Sequence, residues 1–164
     1  MRDKILRLAD ANGRSRSDPA LRRIQQFANG VVLTSQGIPF LHAGVELMRD
    51  KQGDHNTYKS GDGVNAIRWQ WKTDHADIFR YYKAAMALRR AHPGLRLTSW
   101  DAIDRPVTTT TPRHEVVMSH IRAGEVGDDW SEILVVANSA DNYQVPLPPG
   151  EWQVAMERSD PAAG

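Results

Sequence analysis

Apolar residues recur every third or fourth position along the early part of the chain. Leu21, Ile24, Phe27, Ala28, Val31 and Val32 fall on one side of a helical repeat, with Arg22, Arg23, Gln25, Gln26 and Asn29 on the other. Asp18-Pro19 supplies the start: a capping side chain, then a proline at the first helical position, where its missing N–H costs nothing. Upstream, Ile5 and Leu8 predict a short helix over Lys4 to Ala11, and the polar stretch from Asn12 to Ser17 reads as a loop. Ile38-Pro39-Phe40-Leu41-His42-Ala43 is an apolar run of strand length after Gly37, the pattern of a strand buried on both faces in a parallel sheet. From Gly44 to Ala66, glycines at 44, 53, 61 and 63 break up polar and charged residues and predict an unusually long loop. Thr73 and Asp74 can cap a second helix, whose Ile78, Tyr81, Tyr82, Ala85, Met86 and Leu88 keep helical spacing up to Arg89 and Arg90. His92-Pro93-Gly94 ends it.

Beyond that point the period changes from helical to two. Val116, Met118 and His120 alternate with Val117, Ser119 and Ile121, and Ile133 to Ala137 is β-branched and apolar. Gln144 to Leu147, a Pro148-Pro149-Gly150 turn and Trp152 to Met156 complete the expected strands. The chain therefore divides into an α/β part, residues 1–94, and an all-β part, residues 95–164. The first part poses a problem, because a lone apolar strand between helices has no partner for its backbone groups. It reads as one piece of a larger sheet.

Composition narrows the classes without choosing among them. Over 164 residues, 40% hydrophobic and 25% charged residues describe a soluble globular chain. With 21 Lys and Arg against 20 Asp and Glu, the net charge of +1 offers no field that would recruit nucleic acid. The absence of cysteine removes disulfides, thiolate metal sites and cysteine nucleophiles, and leaves the compartment unknown. Met1 to Leu6 has no long apolar run behind its charges, so neither a secretory signal nor a membrane anchor is expected in this chain.

The run Gly37-Ile38-Pro39-Phe40-Leu41-His42-Ala43-Gly44-Val45-Glu46 resembles the eighth barrel strand of the alpha-amylase superfamily. Lys51-Gln52-Gly53-Asp54-His55-Asn56-Thr57-Tyr58-Lys59-Ser60-Gly61-Asp62-Gly63-Val64-Asn65 is similar to the loop that follows it in type I pullulanases, which cleave α-1,6 links in branched glucans. Tyr81-Tyr82, Leu88-Arg89-Arg90 and Ala91-His92-Pro93 resemble the last barrel helix of those enzymes, and Gly127-Asp128-Asp129-Trp130-Ser131-Glu132-Ile133 a segment of their C-terminal β domain. The resemblance implies the last helix-strand-helix portion of a (β/α)8 barrel joined to an incomplete antiparallel β-sandwich. It also implies a parent glycoside hydrolase that debranches pullulan, starch or glycogen.

In that family the three catalytic carboxylates lie at the ends of barrel strands four, five and seven, all before the position where Met1 falls. This chain is accordingly expected to be inactive alone, with no catalytic residue of its own. A retaining glycosidase needs two carboxyl groups about 5 Å apart, and no pair here matches the family's motifs. The rival reading is a non-catalytic carbohydrate-binding or interaction module whose β part folds alone. No cofactor is expected, calcium being left open for a full-length parent; the expected partner of that parent is an α-glucan, with neither nucleic acid nor membrane.

Within the loop, Asp54, His55, Asn56 and Tyr58 are the expected substrate contacts, combining acceptors, donors and one aromatic face for a sugar's hydroxyls and its apolar side. Asp62 and Asn65 read as turn caps that hold the loop shut. Glu46 reads either as a site carboxylate at a strand end or as a structural acid. His42 is expected in the core, Trp69 and Trp71 in the core rather than as a sugar platform, and the arginines at 22, 23, 89 and 90 on solvated helix faces.

Overall fold

The helical repeats fold as helices, but the faces they bury are set by tertiary partners. The structure, a computed structural model, describes residues 2–11, 13, 17–54, 56–139 and 142–157. Its helices are α1 (Arg2–Ala11), α2 (Asp18–Thr34), the single turns α3 (Asp62–Asn65) and α4 (Trp71–Asp74), α5 (Ala76–Ala91) and α6 (Trp100–Asp104). Three strands follow, β1 (Val107–Arg113), β2 (Val116–Ile121) and β3 (Ile133–Asn138). The second long helix starts at Ala76 rather than after Thr73-Asp74, which form the end of α4 instead.

In α2 the fully buried stripe is Leu21, Gln25, Asn29 and Leu33, while Val31 and Val32 are exposed. The helix is thus rotated from the orientation its apolar residues predict. Gln25 explains the rotation, since its Nε2 donates to the Val45 carbonyl at 2.6 Å and meets a backbone acceptor that burial would otherwise strand. Asn29 Nδ2 donates to the Gln25 carbonyl within the helix at 2.9 Å. Opposite, α5 buries Ile78, Tyr81, Tyr82 and Ala85. Ile5 of α1, Leu21 and Leu33 of α2, and Val45 and Met48 of the following loop close this core. Close approach of α2 to α5 depends on Gly30: a Cβ there would stand 2.4 Å from the Tyr81 hydroxyl.

Arg89, expected in solvent, is 7% exposed. Its guanidinium donates to the carbonyls of Leu33 at 2.9 Å, Ser35 at 2.7 Å and Gly37 at 2.5 Å. These are the acceptors left over where α2 ends, and one cation satisfies them together.

The expected strand at Ile38 to Ala43 does not form. The segment has no ladder partner among the described residues, and Ile38 and Phe40 stand 97% and 90% exposed. A strand is a paired object, and the apolar pattern alone cannot supply its neighbours. His42 is likewise exposed rather than in the core, and Trp69 is 72% exposed.

The sheet is antiparallel, in the order β1-β2-β3, with Met118 facing Thr110 on one side and Val136 on the other. β1 carries no apolar alternation and escapes a pattern search, yet its consecutive threonines suit an exposed outer strand. Gln144 to Leu147 and Trp152 to Met156 remain irregular, so the described residues hold three strands where more were expected. Their prolines and Gly150 withhold ladder donors and residues suited to regular pairing. Leu95, Ile121, Ala123 and Ile133 form a second core, with Leu88 of α5 packed against it. No helix of the described residues is long and apolar enough to cross a membrane.

Candidate functional site

The loop after the exposed segment is held shut from inside. Arg49, 9% exposed, reaches the loop's two ends: Nη1 donates to the Ala43 carbonyl at 3.2 Å, and Nη2 donates to the Asn65 carbonyl. Asn65 Nδ2 donates to the carbonyls of Thr57 at 2.7 Å and Ser60 at 2.6 Å, the closing role its sequence position suggests. Lys51 Nζ donates to the Thr57 hydroxyl at 2.6 Å. Asp62 makes no capping bond, and Gly61 occupies the cap position of α3.

The four expected sugar contacts divide into different roles. Asp54 is a staple: Oδ1 accepts the Asn56 N–H at 2.9 Å, and Oδ2 accepts the Ser60 hydroxyl at 3.0 Å. Asn56 and Tyr58 project outward, Tyr58 at 75% exposure with Lys59 Nζ 5.4 Å from its ring centroid. An aromatic face and a side-chain amide on one rigid turn can meet a pyranose ring and its hydroxyls. His55 lies outside the described residues. Glu46 is half-buried and accepts no hydrogen bond from the described residues of the loop.

Beside this loop lies a cleft lined by Met48, Asp50, Gln52, Arg68, Trp71 and His75. Sequence reasoning missed it, since its walls come from distant parts of the chain. The only signal was Trp71 close to Arg68. Met48 and Gln52 both adopt left-handed backbone, with φ of 55° and 57°, and their strain bends the chain into the cleft's rim. At its far wall, Arg22 Nη2 meets His75 Nδ1 at 2.7 Å, so in the neutral ring that nitrogen accepts and the hydrogen sits on Nε2. Arg22 also pairs with Asp18 at 2.7 Å and Asp77 at 2.6 Å. Partial burial alone lowers its pKa, but the two carboxylates outweigh that and the net shift is upward. Among the described residues no three or more His, Asp or Glu side chains gather as a metal site requires.

No family model matches the chain. The pullulanase of Bacillus subtilis (strain 168) is 32% identical over 133 residues, which are 80% of this chain and 18% of that protein. The solved pullulanase of Bacillus acidopullulyticus superposes with a TM-score of 0.84 at 32% identity, covering 96% of this chain and 19% of that one. A Paenibacillus barengoltzii pullulanase, solved in complex with maltohexaose and alpha-cyclodextrin, gives 0.83 at 36% identity over 93% of this chain and 23% of that one. Helices, sheet and loop together are those of an alpha-amylase-family glycoside hydrolase. Within it, the chain is a pullulanase-like segment, spanning about a fifth of the length of the relatives it matches.

Proposed function

We propose that the chain serves as the C-terminal portion of a pullulanase-type debranching enzyme. In this reading residues 1–94 end its (β/α)8 barrel and residues 95–164 form part of its C-terminal β domain. The observation that carries it is the segment Ile38 to Ala43: apolar, without a ladder partner among the described residues, and holding Ile38 and Phe40 almost fully in solvent. Two apolar side chains at such exposure are what a barrel strand shows without its neighbours. The parent hydrolyses α-1,6-glucosidic links with carboxylates from its earlier strands. The loop from Gly44 to Asn65 then borders the glucan, with Asn56 and Tyr58 toward it and Asp54 holding the turn.

A second reading has one observation in its favour. The sheet has its own core at Leu95, Ile121, Ala123 and Ile133, as a carbohydrate-binding module would need. A chimera separates the two. This chain replaces the matching segment of the Bacillus acidopullulyticus pullulanase, and pullulan hydrolysis is measured by reducing-sugar release. The isolated chain is assayed beside it, for turnover and for retardation in a pullulan gel. Hydrolysis by the chimera and none by the isolated chain supports the debranching segment. Retardation of the isolated chain with a folded, dead chimera supports the module.

A further inference from the structure

The peptide groups of Gly94 are divided between the two halves of the molecule. Its N–H donates to Asp128 Oδ2 at 3.0 Å, on the turn that leads into β3. Its carbonyl accepts from Gln36 Nε2 at 2.7 Å, just past the end of α2, and Gln36 Oε1 in turn accepts the Leu97 N–H at 3.0 Å. Gly94 is closely packed: a Cβ would stand 3.1 Å from Ala123 Cβ and 3.3 Å from Asp128 Oδ2, so either neighbour would have to give by a few tenths of an ångström. On the sheet side everything converges on the Asp128 carboxylate, whose side chain is fully buried. Oδ1 pairs with His92 Nδ1 at 2.7 Å and accepts the Trp130 N–H at 3.1 Å. The Trp130 ring lies against His92, 3.5 Å between centroids and 27° between planes.

A buried carboxylate with three donors is a strong local fastening, and losing it strands each donor. Apolar contact joins the halves as well, with Leu88 of α5 partly buried against the sheet's core and Met156 against the helical one. We infer that Asp128 is a latch that seats the sheet on the helical half, with the His92 to Leu97 connection as the hinge it locks. When the latch opens, the sheet moves as a body and its ladders stay intact. This holds whether or not the segment belongs to a debranching enzyme.

The chain has no cysteine, so labels can be introduced without background. Spin labels at Arg23→Cys and Thr110→Cys report the distance between α2 and β1, and amide exchange is followed residue by residue in the same chain. In Asp128→Asn the distance distribution broadens, and the amides of Gly94 and Trp130 exchange at least tenfold faster. The β2 and β3 ladder amides stay within twofold of the unsubstituted chain. An unchanged distance distribution overturns the latch. So does ladder exchange that accelerates as much as Gly94, since Asp128 would then belong to the sheet's own stability.

Discussion

Arg89 donates to the Leu33 carbonyl at 2.9 Å across 56 residues of sequence, and so ties the last turn of α5 to the last turn of α2. Hydrogen bonds from a charged donor contribute about 1.5–3 kcal/mol each when their acceptors cannot reach water, and the three here share one guanidinium. Arg89→Met keeps most of the stem's packing and removes all three donors. Urea unfolding is expected to show a loss of about 2–4 kcal/mol. Arg89→Lys recovers less than half of it, because a point charge cannot span the Leu33, Ser35 and Gly37 carbonyls.

Acid should loosen the seam through one identified group. Burial raises the pKa of Asp128, but bonding to His92 and to the Gly94 and Trp130 N–H groups outweighs this, and its carboxyl is held below the usual 3.8. A carboxylate with a lowered folded pKa stabilises fully above its unfolded value, and that contribution disappears as pH falls through the folded one. Thermal midpoints measured from pH 5 down to 2.5 should therefore fall more steeply for the unsubstituted chain than for Asp128→Asn below about 3.8. Parallel curves would remove Asp128 from the acid response.

The exposed segment makes a prediction that ordinary apolar residues do not. Ile38→Asp and Phe40→Asp should each change the stability of this chain by no more than about 0.5 kcal/mol, the usual range at solvent-exposed sites. Amides from Ile38 to Ala43 should exchange faster than those of the β2–β3 ladder. A loss above 2 kcal/mol by urea titration, or ladder-like protection, would mean that the segment has found a partner.

For the loop, substitution in a full-length parent distinguishes contact from scaffold. Asn56→Ala or Tyr58→Ala should lower kcat/KM on pullulan by roughly tenfold to a hundredfold, about 1.4–2.8 kcal/mol, with the thermal midpoint unchanged. Asp54→Ala removes the acceptors of Asn56 and Ser60 and should lower both activity and local protection of the turn. Wild-type kinetics in the Asn56 and Tyr58 variants would assign both residues to the scaffold.

The helices were legible because periodic apolar residues signal a helix wherever its partner lies. Which face turns inward was not legible, since Gln25 is buried to satisfy a carbonyl 20 residues away. Arg89 misled for the same reason: its acceptors sit at the end of another helix. β2 was visible in its alternation and β3 in its β-branched, apolar run, whereas β1 was not, because its threonines pair with Met118 and Ser119 without any apolar period of their own. In the loop, Asn65 was read correctly as a closing residue from its amide and its place among glycines. The adjoining cleft combines Asp50 with Trp71 and His75, and no short motif joins residues that far apart.

Among the described residues the sheet order puts β1 and β3 on the outside, and the two outer strands are unlike in sequence. Along β1 the threonines are followed by Pro112 and Arg113, a proline and a charge that discourage a further strand. β3 reads Ile-Leu-Val-Val-Ala-Asn, six residues without charge or proline, the composition from which fibrillar stacking starts. Concentrated solutions of this chain should therefore lose monodispersity from the β3 margin. Placing a lysine there is the change that would lengthen the protein's life in storage.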